Sequence, residues 1–237
     1  MKPSRFSPTP LSLSEFVIYK LVRTVAVGFS RLYFPGTVKG RENLPMQGPC
    51  IVAPVHRSYV DWLIVARITR ARRLRYIVKE EVWSSKLIGS ILEACGCFPV
   101  NRSGADREAL ERCRAVLAGG EVLVMFPEGT RRSGPAVEDL KDGVAYLSLR
   151  AGAPVVPVGI GGSERAMPRG AKFPRPRRVN VVIGPPIPAG ARVDNTDVPA
   201  VEQKRARVSR AAITEQSLRI EQAIQKAFDK AEASLLA

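Results

Sequence analysis

Cys50-Ile51-Val52-Ala53-Pro54-Val55-His56-Arg57-Ser58-Tyr59-Val60-Asp61 decides the fold: an almost unbroken apolar run passes directly into a polar turn and then into a segment of helix length. A short apolar run without alternation is the signature of a strand buried on both faces. The pattern recurs along the chain. Apolar runs at 50–55, 74–78, 97–100, 121–126, 154–160 and 179–183 read as strands, and segments of helix length at 61–69, 82–94, 105–118 and 139–150 lie between most of them. Such alternation predicts a single α/β domain with a mixed, largely parallel sheet flanked by helices. Gly119-Gly120 and Gly152 read as helix stops, and Pro185, Pro186 and Pro188 close the last strand region. Residues 201–237 are charged, contain no Pro or Gly, and read as a C-terminal helix. The expected plan is an N-terminal helix within 1–35, a core domain at 36–200 and the C-terminal helix at 201–237.

With 237 residues of which 45% are hydrophobic, the chain can build a real core, and global disorder is excluded. His56 is the only histidine, so any metal site that needs two is excluded. The four cysteines, at 50, 95, 97 and 113, form no C-x-x-C pair, and reduced thiols in a cytosolic setting are the simplest reading. No metal and no cofactor is expected.

The N-terminus does not read as a signal peptide. The apolar segment at 11–34 is interrupted by Glu15, Lys20, Arg23 and Arg31 and is not expected to span a bilayer. At 100° per residue, Val17, Ile18, Leu21, Val22, Val25, Phe29 and Leu32 fall on one side and the charged residues on the other. That describes either an in-plane helix at the boundary of an anionic membrane or an ordinary helix packed on a core.

The formal charge of +15 is clustered. Arg67, Arg70, Arg72, Arg73 and Arg75 form one group; Arg165, Arg169, Lys172, Arg175, Arg177 and Arg178 form another, with no acid between 165 and 178. Both read either as solvated loops or as contacts for a phosphate-bearing or membrane partner. Nucleic acid is disfavoured, because aromatics make up only 6% of the chain and do not interleave with these groups.

In open α/β sheets ligands bind beyond the carboxyl ends of the strands. The residues that follow the apolar runs are 56–61, Lys79, Asn101-Arg102, 127–131 and 161–165, so one histidine, acids and several cations are expected at one sheet edge. His56 and Asp61 are five apart and would not share a helical face. They meet only if His56 sits on the turn and Asp61 in the first helical turn. Asp61 then has two readings: a capping box with Ser58 as N-cap, or the partner that holds the His56 imidazole as a general base. Gly129 permits a turn after the strand at 121–126, and Arg131 and Arg102 offer planar forks to an anion. Gly159-x-Gly161-Gly162 is too irregular for a phosphate loop.

Taken together these residues resemble the glycerolipid acyltransferases, and among them the 1-acyl-sn-glycerol-3-phosphate acyltransferases. His56-Arg57-Ser58-Tyr59-Val60-Asp61 is similar to the family's H-x4-D block, Gly96-Cys97-Phe98-Pro99-Val100-Asn101-Arg102 to its second block, Phe126-Pro127-Glu128-Gly129-Thr130-Arg131 to its E-G-T-R block, and Val155-Val156-Pro157-Val158 to its proline-centred fourth block. The resemblance covers about residues 38–190. It implies a glycerol-3-phosphate acyltransferase-like fold and transfer of a fatty acyl group from acyl-CoA, a co-substrate, to the free hydroxyl of lysophosphatidic acid, giving phosphatidic acid. It also implies that His56 and Asp61 are catalytic. Lys79, Arg102, Glu128, Gly129, Thr130 and Arg131 are then expected to bind the acceptor, with Lys141 as a further candidate. Direct transfer without an acyl-enzyme is expected, since a thiol of pKa about 8.5 leaves readily as thiolate. The setting so implied is the cytoplasmic face of the cell membrane, with an anionic membrane surface as partner and no nucleic acid. One departure stands out: Arg57 after the His is more familiar in relatives that acylate glycerol 3-phosphate or dihydroxyacetone phosphate. The alternatives are thus another acceptor, namely glycerol 3-phosphate, a lysophospholipid or a glycolipid, or a basic lipid- or nucleic-acid-binding protein without enzymatic activity.

Overall fold

A computed structural model describes residues 13–69, 71–79, 89, 92–93, 96–100, 107–190 and 208–236. The strands are β1 (Val38–Lys39), β2 (Cys50–Pro54), β3 (Leu74–Lys79), β4 (Phe98–Val100), β5 (Val122–Val124), β6 (Val155–Gly161) and β7 (Asn180–Ile183). The helices are α1 (Leu13–Tyr33), α2 (Asp61–Val65), α3 (Arg107–Ala118), α4 (Gly143–Ala151), α5 (Ser163–Ala166) and α6 (Arg210–Ala233). The strands form one seven-stranded sheet in the order β1-β7-β6-β2-β5-β3-β4. Strands β6, β2, β5, β3 and β4 run parallel, and β7 turns back antiparallel beside β6 with β1 along it. The mixed, largely parallel sheet expected from the apolar runs is therefore present. The two-residue β1 carried no apolar run and was not legible. The helix expected at 82–94 falls almost wholly outside the described residues.

Every residue of β2 and of β6 is buried, as central parallel strands with both faces covered require. The C-terminal helix is part of this covering. Ile220, Ile224 and Phe228 of α6 belong to the same core as the strands, so the expected boundary at 200/201 is not a packing boundary. Glycines make the close approach possible. A Cβ on Gly159 would lie 2.2 Å from the backbone carbonyl carbon of Ala227, and one on Gly161 would lie 2.5 Å from that of Ala231. The glycines that looked like a weak phosphate loop are a seat for α6.

Helix α1 answers half of the question its periodicity left open. It packs through Tyr19, Val27 and Ser30, all under a tenth exposed, and Arg23 donates to the carbonyls of Ala66 and Thr69 just beyond α2. The apolar stripe faces outward: Leu21 and Val25 are each 63% exposed and Leu32 is 87% exposed. The core-packing reading of the stripe is thus set aside. Among the described residues no helix is long and apolar enough to cross a membrane.

The basic group at 67–75 is also settled, and neither sequence reading describes it. Arg67 donates to the carbonyls of Phe34 at 2.9 Å and Gly36 at 2.8 Å, beyond the end of α1. Arg72 donates to the Pro45, Gly48 and Gly120 carbonyls. Arg75 pairs with Glu121 at 3.1 Å. The guanidinium forks thus tie loop carbonyls together from within the protein, the Phe34 carbonyl in a buried setting. Burial, with Arg31 and Arg41 nearby, holds the Arg67 pKa below its usual value. Arg70 lies outside the described residues.

At the contact between β6 and α6, strand backbone meets helix backbone with no side chain between them. Gly159→Ala should lower stability by about 1–3 kcal/mol or more through overpacking, read as a drop in the urea midpoint at unchanged slope; an unchanged midpoint would show that α6 shifts freely.

Candidate functional site

Strands β2 and β5 are parallel neighbours in the sheet, so the turns that follow them lie side by side at its carboxyl edge, where ligands of open α/β sheets gather. His56 follows β2 and Glu128 follows β5. Two hydrogen bonds clamp the turns together: the His56 backbone N–H donates to Glu128 Oε2 at 2.7 Å, and the Arg132 N–H donates to the His56 carbonyl at 2.9 Å.

Asp61 opens α2 and is wholly buried. One oxygen, Oδ2, faces three donors: His56 Nδ1 at 3.0 Å, the Arg57 N–H at 2.7 Å and the Ser58 N–H at 2.7 Å. With a carboxylate accepting, Nδ1 carries a proton, and in the neutral ring that leaves the lone pair on Nε2. Oδ1 is buried without a partner among the described residues. The two sequence readings of Asp61 therefore coexist on a single oxygen. Only half of the capping box forms, because the Ser58 hydroxyl donates to the Met167 carbonyl at 2.9 Å instead of capping the helix. The His56 ring stacks on Phe126, with centroids 4.1 Å apart, and keeps 21% of its side chain exposed, so the free ring edge can be reached.

Glu128 is placed differently from the expectation that it touches a substrate. It is fully buried, and both oxygens are engaged inside the protein: Oε2 by the His56 N–H and Oε1 by Arg57 at 2.5 Å. Arg57, equally buried, also donates to the carbonyls of His56, Gly134 and Ala136, and its guanidinium lies 5.2 Å above the Phe228 ring of α6. Arg57 thus reads no acceptor. It was the residue that sequence reasoning missed, and the available signal was an Arg and a Glu at the ends of two strands destined to be neighbours.

Gly129 adopts φ 68°, which only glycine reaches freely, and its N–H donates to the Phe126 carbonyl at 3.1 Å. Gly129 and Thr130 are exposed on the turn. Arg131 is half-buried with its guanidinium 3.2 Å from the Tyr59 ring centroid, and its Nη1 is buried without a partner among the described residues. The Lys141 N–H donates to the Pro127 carbonyl at 2.8 Å, and its side chain lies over Gly129. Lys79 ends β3 at the same edge of the sheet. Arg102 lies outside the described residues; β4, which leads to it, ends at that edge too. The structure therefore gathers His56, Asp61, Glu128 and Arg131 on two touching turns. Cys50 begins β2, at the far end of the strand from His56, and burial pushes its thiol pKa up despite Arg72. It offers no nucleophile to this edge.

A family model described as Acyltransferase matches residues 36–161, just over half of the chain, and spans every residue named above from His56 to Lys141. A 1-acyl-sn-glycerol-3-phosphate acyltransferase of Bacillus subtilis is 29% identical over 152 residues, which is 63% of this chain and 72% of that protein. Another, from Chlamydomonas reinhardtii, is 30% identical over 168 residues, 68% of this chain and 49% of that protein. A chloroplastic one from Brassica napus is 28% identical over 166 residues, 68% of this chain and 47% of that protein. The chain thus spans about half the length of the algal and plant relatives. The crystal structure of a 1-acyl-sn-glycerophosphate acyltransferase from Thermotoga maritima has the same fold, with a TM-score of 0.64 at 21% identity over 88% of this chain and 80% of that one.

Arg57→Gln leaves the Glu128 carboxylate buried without its counter-charge. The expected loss is about 3–5 kcal/mol of unfolding free energy, measured by urea titration. Arg57→Lys should recover only part of it, since one ammonium cannot reproduce the fork; full recovery would reduce the role of Arg57 to charge alone.

Proposed function

Because the chain belongs to the acyltransferase family, we propose that it moves a fatty acyl group from acyl-CoA to the free hydroxyl of 1-acyl-sn-glycerol 3-phosphate, forming phosphatidic acid for phospholipid biosynthesis. The observation that carries this reading is the orientation of His56: Nδ1 is held by Asp61 while Nε2 stays free on a partly exposed ring. Beside it stands Arg131, whose guanidinium has a nitrogen without a protein partner among the described residues.

In the reaction, Nε2 takes the proton of the acceptor hydroxyl as its oxygen attacks the thioester carbonyl. The tetrahedral intermediate collapses, the carbon–sulfur bond breaks, and the thiolate leaves with the proton returned by the imidazolium. Asp61 fixes the tautomer and stabilises the imidazolium while it exists. Acceptor phosphate binds Arg131, held flat on Tyr59, with Lys79 and Lys141 as further cations at the edge and Arg102, outside the described residues, as another candidate. Glu128, Gly129 and Thr130 shape the turn that presents Arg131. No cofactor is needed, and acyl-CoA is a co-substrate.

The outward apolar face of α1 fits a protein that works at the cytoplasmic surface of an anionic membrane. Contiguous exposed apolar faces of this kind mark interaction sites, and exposed Lys20 and Arg31 flank it with the charge that anionic headgroups attract.

Three measurements test this reading. His56→Ala should slow thiol release from acyl-CoA by about 10²–10⁴-fold while far-UV circular dichroism stays unchanged; retained activity would overturn the base assignment. Arg131→Ala should mainly raise the acceptor KM, and a defect confined to acyl-CoA binding would remove its phosphate role. An acceptor panel of lysophosphatidic acid, glycerol 3-phosphate and lysophospholipids, run with acyl-CoA and with acyl-carrier protein as donors, separates the acceptor and donor assignments.

A further inference from the structure

Residues 168–178 connect α5 to β7, and the function proposed above does not use them. Arg169, Lys172, Arg175, Arg177 and Arg178 are all exposed, there is no acid among these residues, and Phe173 stands 80% exposed in their midst. An isolated exposed apolar side chain is ordinary. This one is different because of its setting. Three prolines, Pro168, Pro174 and Pro176, stiffen the loop. Backbone bonds fix both its ends: Ala171 N–H to the Pro168 carbonyl at 3.0 Å, Arg175 N–H to the Ala166 carbonyl at 2.7 Å, and Val179 N–H to the Pro35 carbonyl at 2.9 Å. The loop is thus held in a shape that leaves its aromatic ring in water.

Its position supplies the partner. The Tyr33 hydroxyl donates to the Pro174 carbonyl at 3.0 Å, and Tyr33 stacks on Phe29, a member of the outward apolar face of α1. Phe173 therefore adjoins the end of that face, and the loop's cations extend its basic border. The opposite end of the loop reaches the reaction centre, because the Ser58 hydroxyl donates to the carbonyl of Met167, the residue before Pro168.

We propose that the loop 168–178 is a second contact with an anionic lipid bilayer, placing the Phe173 ring at the boundary between headgroups and acyl chains and its cations on the lipid phosphates. The proposal rests on the membrane-surface reading given above for α1. An aromatic ring among cations matches the two layers of such an interface, apolar below and anionic above. A nucleic acid would need more stacking platforms than this single ring. The prolines keep the loop pre-ordered, so little conformational entropy opposes docking.

The test uses the whole chain with vesicles of phosphatidylcholine alone or of an equimolar mixture with phosphatidylglycerol. Replacing Arg169, Lys172 and Arg175 by Gln should weaken partitioning to the anionic vesicles on the order of a hundredfold, at about 1 kcal/mol per cation, and leave partitioning to the neutral ones nearly unchanged. Phe173→Trp should gain emission over the parent that is lost when the vesicles carry brominated acyl chains. Acyl transfer to a short-chain acceptor in detergent micelles should be unchanged in Phe173→Ala. If the Phe173→Trp variant binds vesicles while its added emission is untouched by brominated chains, the loop contact is overturned and the α1 reading is left standing. Loss of affinity for a DNA duplex in the triple Gln variant with unchanged vesicle partitioning overturns it in favour of nucleic acid. A parent inactive in micelles would refute the acyl-transfer reading instead, and the vesicle measurements would still decide the loop.

Discussion

The site depends on a sealed pair of charges, Arg57 and Glu128, neither of which retains any exposed side-chain surface. Removing two such charges from water is costly, and their attraction compensates only where the remaining donors and acceptors are also satisfied. Here they are. Arg57 uses its fork on Glu128 and on the carbonyls of His56, Gly134 and Ala136, and Glu128 uses its second oxygen on the His56 N–H. The pair therefore joins the turn after β2, the turn after β5, the loop at 134–136 and, through the Phe228 ring, helix α6. A hydrophobic pair could fill the same space with equal or greater stability. It could not fix the backbone of His56 from both sides.

Asp61 shows the same preference for orientation over economy. Three donors meet at Oδ2 while Oδ1 is buried bare among the described residues. The Arg57 and Ser58 backbone N–H groups fix the carboxylate in place against the imidazole. Asp61 is wholly buried, and a charge so placed acts more strongly on its neighbour than it would in solvent. Stacking on Phe126 restrains the ring from its other side, which leaves Nε2 as the one direction in which His56 can act.

The parts of this arrangement that were legible in the sequence are those with a short-range signature. The apolar runs announced β2 to β7, and the rule that ligands gather at carboxyl ends brought His56, Asp61 and the turn at 127–131 together on paper. What escaped was set by contacts distant along the chain. Arg57 and Glu128 are 71 positions apart, and no periodicity links them. The carbonyls that absorb Arg67 and Arg72 belong to loops whose course depends on the sheet order, so a charge count could not distinguish a structural arginine from a free one. The direction faced by the α1 stripe was equally hidden: an apolar stripe looks the same whichever way it faces, and only the packing of Tyr19, Arg23 and Ser30 shows that it does not cover the core.

That division of the basic residues bears on the chemistry. Arginines 57, 67, 72 and 75 are bound to carbonyls and carboxylates of the protein itself, whereas those at 169–178 and Arg131 retain donors that the fold does not use. The first set ties the scaffold together; of the second, the residues at 169–178 are exposed and Arg131 lies half-buried on Tyr59. Hydrogen bonds tie the segment from His56 to the end of α2 to both the loop 168–178 and helix α1: Ser58 to Met167, just before that loop, and Arg23 of α1 to Ala66 just beyond α2.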